Sequence, residues 1–441
     1  MEQKSNSVTD AFKGFSQLSL EERLDRLSDV GGLTAEDLQF LKRGGLKDTK
    51  LGEKFIENVV GYFQMPLGVA TNFRIDGVER FIPMAVEETS IIAAASKTAK
   101  WILESGEITT EVVGQNIIGQ IQFAKIKNVE KFREQILSQK SQWIQMANQD
   151  VASGLVNRGG GVEDITVRIL DRGDGFFMGV VHVMMNPCDA MGANIINQVC
   201  EYLKEPMEAA TGDKVTMCIL SNLVDSKVTK ACIELRNVDA ELAEKIEEAS
   251  FFAQVDPYRA ATNNKGVLNG IDPIVVATGN DWRAVEAGIH AYASRDGQYR
   301  SITRWKRDGT SLVGLFEAPL IVGIVGGVTT LHPMAALSMR LLKVHSANEL
   351  SRVMAAVGLA QNLGALKALT TVGIIEGHMK LHVKNLAIGA GAQEKEMPIL
   401  QKKLEEILAL KKRISLSQAI ESLKEIRRQQ GLMTESVNNK N

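Results

Sequence analysis

Four cysteines in 441 residues leave little for cross-linking. Cys188, Cys200, Cys218 and Cys232 stand 12, 18 and 14 positions apart, which fits neither a zinc site nor a disulfide framework. An excess of one charge is also missing. With 51 basic and 53 acidic residues the net charge is -2, so no global field draws the chain to nucleic acid or to an anionic membrane. The longest apolar stretches, such as PLIVGIVGGV, stop short of the roughly 20 residues of a membrane-spanning helix. MEQKSNSVTD carries no signal-peptide pattern, and the expectation is a soluble protein of the reducing cytoplasm. No G-x-G-x-x-G follows a strand-like run, which argues against a Rossmann site.

What is present is an ordinary globular composition, 44% hydrophobic and 24% charged with a mean hydropathy of -0.05, in a chain long enough for two or three domains. The first residues read as two short helices, SLEERLDRL opened by a Ser19/Glu22 capping box and AEDLQFLKR opened by Thr34. They have too little core of their own and must dock elsewhere. MPLGVATNFRIDG and ERFIPMAVEE alternate as a hairpin turning at Asp76-Gly77, and an alanine-rich helix is expected from about Glu88. Glu87 and Glu88 then fall where a helix dipole favours carboxylates; the functional alternative is a general acid in a cleft.

From Glu111 the order strand, helix, strand, strand, helix, strand describes an inserted α+β unit. Within it DAMGAN places Asp189, Met191, Gly192 and Asn194 at a helix start, either as an ordinary N-cap or as an approach for a pyrophosphate. SRVMAAVGLAQNLGALKALTTVG is apolar on nearly every face and reads as a buried central helix. It leads into EGHMKLH, where His378 and His382 share a helix face; with no HExxH glutamate and no third ligand, no metal is expected. Amphipathic helices follow, one opened by Ser415 and Gln418, in a small lobe suited to a lid.

The stretch from Asp256 to Trp282 concentrates chemistry. It offers Arg259, Lys265, Asn269, Asp272 and Asp281 beside IDPIVVATG, which reads as a buried strand ending in a turn. Asn263, Asn264 and Gly266 around Lys265 look too polar for a helix. Lys265 reads as a positioned cation, either an electrophile for a carbonyl oxygen or a Schiff-base amine; the bland reading is a surface loop lysine.

Taken together, ENVVG with PLGVA, EETS, DAMGAN, DPYRAATNNKG with GNDW, IVGGVT, and GLAQNLGALKAL leading to GHMKLH closely resemble 3-hydroxy-3-methylglutaryl-coenzyme A (HMG-CoA) reductase of the soluble class II type. The resemblance runs from about Ser19 to Gln430. It implies an α+β fold: a large discontinuous substrate domain (1–110 and 220–374) around a central buried helix, a small non-Rossmann dinucleotide-binding domain (111–219) and a C-terminal flap (375–441). It also implies a homodimer with the active site at the interface, and possible assembly of three dimers. The implied reaction is four-electron reduction of HMG-CoA to mevalonate and coenzyme A with two NADH or NADPH and no metal.

Residue by residue, the resemblance assigns catalysis to Glu88, Lys265, Asp281 and His378, and holding of the HMG portion to Ser90, Arg259 and Asn269. Asp189, Met191, Gly192 and Asn194 fall on the cofactor motif. Asp150 lies near the position where relatives that prefer NADH carry an acidic residue, one place out of register, and leaves the choice of cofactor open. Thr89 stands where the bacterial form has proline, and Val328 where many relatives have glycine or alanine. Alternatives are mevalonate oxidation by the same site, a lysine-dependent carbon-carbon lyase, and a non-catalytic coenzyme A or nucleotide-binding module.

Overall fold

A computed structural model gives the fold and describes residues 11–371, 383–411 and 413–429. These residues form two compact units, one of 11–87 with 91–364 and the other of 88–90 with 365–429.

In the first unit, β1 (Leu67–Ile75) and β2 (Val78–Ala85) form the expected antiparallel hairpin. Asp76 and Gly77 both take positive φ, 51° and 79°, as a two-residue hairpin turn requires. The two N-terminal helices, Leu20–Gly31 and Ala35–Lys42, each carry a complete capping box. They dock on β2 and on the helix Pro333–Leu342, burying Leu27 and Leu33 with Phe81, Leu337 and Leu341. The helix after the hairpin starts at Ile91, three residues later than expected. Ser90 has φ 79°, and a left-handed residue cannot extend a right-handed helix backwards.

The remaining strands build two antiparallel sheets. β3 (Gly106–Gly114), β8 (Lys227–Leu235), β10 (Ser311–Ala318) and β9 (Thr303–Asp308) lie in that order in one. In the other the order is β5 (Gly161–Asp171), β6 (Phe177–Asn186), β4 (Ile117–Ile126) and β7 (Val215–Ser221). Along the chain this second sheet follows the order read from the sequence, and its helices bury Phe132, Ile136, Ile196 and Leu203 against one face. Its strand pairs are all antiparallel, so it lacks the parallel crossover that defines a Rossmann site.

IDPIVVATG is not a strand. Its residues Ile271 to Ala277 end a helix, Pro257–Ala277, that contains Pro273 in its interior, and Thr278 is the C-cap. A short apolar run cannot distinguish a buried strand from a buried helix, and here the run is buried because the helix packs on another, Ala347–Thr370. Every residue of that second helix from Val353 to Leu363 is buried, as expected of a central helix. It is also the one helix among the described residues long and apolar enough to cross a membrane, although the short apolar stretches of the sequence suggest none. With 67% of its apolar window buried inside the fold, it is a core helix.

The two helices approach glycine to glycine. A Cβ on Gly270 would lie 2.8 Å from the Val357 carbonyl oxygen and 3.0 Å from Gly358 Cα, while one on Gly358 would lie 2.8 Å from Ile271 Cγ1. The residues that looked too polar for a helix are satisfied across the interior. Asn263 Nδ2 donates to Ser301 Oγ at 2.6 Å and Thr303 Oγ1 at 3.1 Å. Asn362 Nδ2 donates to Asn263 Oδ1 at 2.8 Å and its Oδ1 accepts from Trp305 Nε1 at 2.8 Å. Asn264 Nδ2 reaches the Arg300 carbonyl at 2.9 Å. Tertiary hydrogen bonds thus override the weak helix propensity of asparagine.

In the second unit the segment 383–389 and the helices Met397–Lys411 and Leu416–Gln429 enclose a small core of Leu386, Leu400, Leu404, Leu423 and Ile426. Arg427 clamps Glu396 through two bonds, Nε to Oε1 at 2.7 Å and Nη2 to Oε2 at 2.9 Å. The Ser415/Gln418 capping box is present.

Gly270→Ala is expected to destabilise the protein by about 1–3 kcal/mol, because backbone must move to admit a methyl group. Gly266→Ala, four residues earlier with nothing within 4 Å of where its methyl group would sit, is expected to be neutral or slightly stabilising. Urea denaturation of the two variants checks the contrast, and equal effects would contradict the close crossing.

Candidate functional site

The helix Pro257–Ala277 begins with Asp256, whose carboxylate caps the Arg259 N–H at 3.1 Å, and Pro257 fits its first turn. From there Arg259, Thr262, Lys265, Asn269 and Asp272 follow at three- and four-residue steps, so they form one stripe. Asn263, Asn264, Val267, Leu268 and Ile271 are buried on other faces. The interior network therefore fixes the rotation of the helix, and that rotation presents Lys265 to the exterior.

Arg259 is half-buried, and burial pulls its pKa down. Among the described residues its guanidinium has no carboxylate partner, and Asn269 is a half-buried amide with no side-chain hydrogen bond. A guanidinium and an amide left open on one stripe suit a carboxylate and a hydroxyl of a bound molecule. Asp281 caps the next helix, Trp282–Ala293, with Oδ1 accepting from the Arg283 and Ala284 N–H groups at 3.1 and 3.2 Å. Arg283 Nε also lies 3.5 Å from that oxygen. The preceding Asn280 accepts at Oδ1 from the Gly323 N–H at 2.8 Å, tying this corner to the glycine-rich loop.

DAMGAN lies beside the same loop. The helix Ala193–Thr211 has Gly192 as its N-cap, with φ 86° and no side chain, so its first N–H groups are not closed off by a cap. Asp189, a candidate cap of this helix by sequence, is turned elsewhere. Its Oδ1 accepts from the Ala347 N–H at 2.9 Å at the start of the central helix, and its carbonyl accepts from the Ile324 N–H at 2.9 Å. Lys227, only 5% exposed on β8, lies near it: burial lowers the lysine's pKa and the Asp189 charge opposes that shift. A cleft opens at this helix start, lined in part by Met191, Ala193, Leu220, Asn222 and Ile321. Asn194 is exposed on the first turn. Asp150, at the end of the helix Lys140–Asp150, is engaged by the Tyr202 hydroxyl.

Glu88 and Ser90 belong to the second unit. Glu88 is exposed in the turn before Ile91, and Ser90 Oγ is buried with no hydrogen-bond partner among the described residues. A strained serine with an unsatisfied buried hydroxyl is a common feature of ligand sites. His378 and His382 lie outside the described residues.

Sequence reasoning missed Lys227 and the environment of Asp272, whose pKa is pushed up to about 8 by burial first and then by Glu286. Lys227 left a signal, since it falls on the inward alternation of β8 with Thr229, Ala231, Ile233 and Leu235. Asp272 interrupts an apolar run, but nothing local points to Glu286.

Comparison with known proteins bears on this arrangement. The family model described as hydroxymethylglutaryl-coenzyme A reductase matches residues 19–383. A 3-hydroxy-3-methylglutaryl-coenzyme A reductase from Archaeoglobus fulgidus is 43% identical over 425 residues, covering 96% of each chain. A probable enzyme of the same name from Borreliella burgdorferi is 34% identical over 344 residues, covering 75% of this chain and 77% of its own. Among solved structures, the reductase from Streptococcus pneumoniae superposes with a TM-score of 0.79 at 39% identity, covering 94% of this chain and all of the other. A class II reductase from that organism, bound to NADPH in open conformations, gives a TM-score of 0.78 at 39% identity over 82% of this chain.

Asp189→Ala is expected to cost about 2–3 kcal/mol, since it frees a helix N–H and removes the charge facing buried Lys227. The cost should shrink when Lys227→Met is already present. A double-mutant cycle by urea denaturation checks this, and strictly additive losses would contradict the coupling.

Proposed function

The chain belongs to the hydroxymethylglutaryl-coenzyme A reductase family, and on that premise we propose that it reduces HMG-CoA to mevalonate and coenzyme A with two equivalents of NADH or NADPH. The observation that carries the reading is the stripe on Pro257–Ala277: the Arg259 guanidinium and the Asn269 amide, without side-chain partners among the described residues, with the Lys265 cation between them, followed by Asp281 at the next helix start. Arg259 takes the HMG carboxylate, and Asn269 and Ser90 hold its polar groups. Lys265 faces the thioester oxygen and stabilises the negative charge that builds there. Glu88 supplies a proton to the oxygen, and Asp281 couples to the charge state of both. His378 protonates the departing coenzyme A thiolate.

The cofactor reading is supported by a feature of this fold. The uncapped N-terminus of Ala193–Thr211 offers N–H groups and the positive end of a helix dipole to a phosphate, beside a cleft partly lined by apolar side chains that suits a flat ring. NAD(P)H supplies the hydrides when bound. Met191 lines the ring cleft and Asn194 faces the phosphate side. Asp189 holds the loop that carries them, and Asp150 lies toward the nucleoside end. The segment 111–219 is then the cofactor domain and 375–441 the flap.

Assembly as a homodimer is supported by apolar groups left uncovered: Val60 is 101% exposed, Phe63 94% and Tyr258 87%. Burying them against a second copy in a cytoplasmic dimer, alone or in a trimer of dimers, completes the site.

Lys265→Ala is expected to lower HMG-CoA-dependent NAD(P)H oxidation by at least about a thousandfold with the fold intact by circular dichroism. Substantial residual activity would remove the lysine from its role. His378→Gln should impair reduction of HMG-CoA far more than reduction of free mevaldehyde, which has no thiolate to release; equal losses on both substrates would contradict thiolate protonation.

A further inference from the structure

Lys265 and Asp281 stand at two separate joints between the same pair of helices. The turn 278–280 joins the helix Pro257–Ala277 to the helix Trp282–Ala293, and Asp281 begins the second at that turn. The segment 299–303 joins the two again, roughly three and a half turns back along the first, at Asn264 beside Lys265.

Arg300 makes the second joint with its backbone. Its N–H donates to the Ala293 carbonyl at 2.9 Å, at the end of the second helix, and its carbonyl accepts from Asn264 Nδ2 at 2.9 Å. The other end of that amide is also engaged, Asn264 Oδ1 accepting from the Ile302 N–H at 3.1 Å. Asn264 is fully buried, so it cannot exchange these partners for water. The segment also rests on the helix Ala240–Val255, where the Ser301 N–H donates to the Ala253 carbonyl at 3.1 Å and Arg300 Nη1 to the Gln254 carbonyl at 2.6 Å.

Tyr299 fastens this joint from the side. Its hydroxyl lies 2.7 Å from His290 Nδ1 on the second helix, with ring centres 5.9 Å apart and planes at 33°. Burial raises the pKa of the phenol, which therefore stays a neutral hydroxyl near pH 7. A hydroxyl can donate to a bare ring nitrogen or accept from a protonated one, so either form of His290 keeps the bond.

Resting on the reductase reading, we propose that Tyr299 is a positioning residue for the reaction: bonded to His290, it holds the Arg300 joint closed and so keeps Lys265 at its working distance from Asp281. Helices joined at a single turn can splay about it. Arg259, Lys265 and Asn269 share one helix and move together, so a splay leaves the HMG portion bound while its approach to Asp281 is lost.

The test compares wild type with four variants. Tyr299→Phe keeps the ring and drops the hydroxyl, and His290→Ala drops its partner. A third variant combines the two, and His290→Gln supplies an amide that can still bond a hydroxyl. HMG-CoA-dependent NAD(P)H oxidation is followed well below each Tm and expressed per folded protein by circular dichroism. Tyr299→Phe and His290→Ala should each lower kcat about tenfold, with KM for HMG-CoA within about twofold of wild type. The double variant should lose no more than either alone, and His290→Gln should recover most of the wild-type kcat. The His290 series leaves Tyr299 intact, so it carries the comparison if Tyr299→Phe folds poorly.

A lowered Tm with wild-type kcat would make the bond purely structural and overturn the positioning role. So would a loss expressed in KM with kcat unchanged. Losses that multiply in the double variant, or a His290→Gln kcat as low as that of His290→Ala, would overturn the coupling on which the role rests. A folded wild type with no HMG-CoA-dependent oxidation would overturn the reductase reading itself, a failure visible before any variant is compared.

Discussion

The crossing of Pro257–Ala277 on Ala347–Thr370 is the constraint on which the first unit depends. Gly270 and Gly358 let the two backbones come closer than side chains would allow. The chain of bonds from Ser301 and Thr303 through Asn263 and Asn362 to Trp305 then fixes the rotation. A buried amide is costly unless its partners are in place, so other rotations of the helix are disfavoured. Polar residues in this interior specify which face of the helix meets the solvent. Lys265 and Asn269 are presented by the residues beside them.

A second constraint organises the DAMGAN loop. Asp189 joins the start of the central helix to the glycine-rich loop, and buried Lys227 adds a charge behind it. With Asp189 occupied in this way, Gly192 is left to begin the helix Ala193–Thr211 without a side-chain cap. The same central helix thus anchors both the Lys265 stripe and the loop beside the cleft. Its length and apolar character follow from that double burden, since it must be buried along most of its surface.

Features decided by local chemistry are legible in the sequence, and those decided at long range are not. The hairpin follows from alternation with Asp76-Gly77, and the capping boxes at Ser19 and Ser415 from residues three apart. IDPIVVATG reads as a strand although its apolar run is burial in a helix, and the asparagines before it gain partners about 36 to 40 residues away in sequence. Asp189 is visible as a chemical group, but its partner Ala347 is 158 residues distant, and no local pattern could turn it away from its own helix. The effect of Glu286 on Asp272 is hidden for the same reason: each reads as an ordinary acid until the helices are packed. The motifs carry the family through their residue types, while the orientations of those residues come from packing.

The most direct test of the central claim is the stoichiometry of the reaction. Purified protein is given HMG-CoA, and nicotinamide absorbance and free thiol are followed together, in parallel with NADH and NADPH. The account predicts two nicotinamides oxidised for each coenzyme A released, with the faster cofactor revealing the preference that Asp150 leaves open. One nicotinamide per thiol, or thiol release without oxidation, would contradict a four-electron reduction at this site.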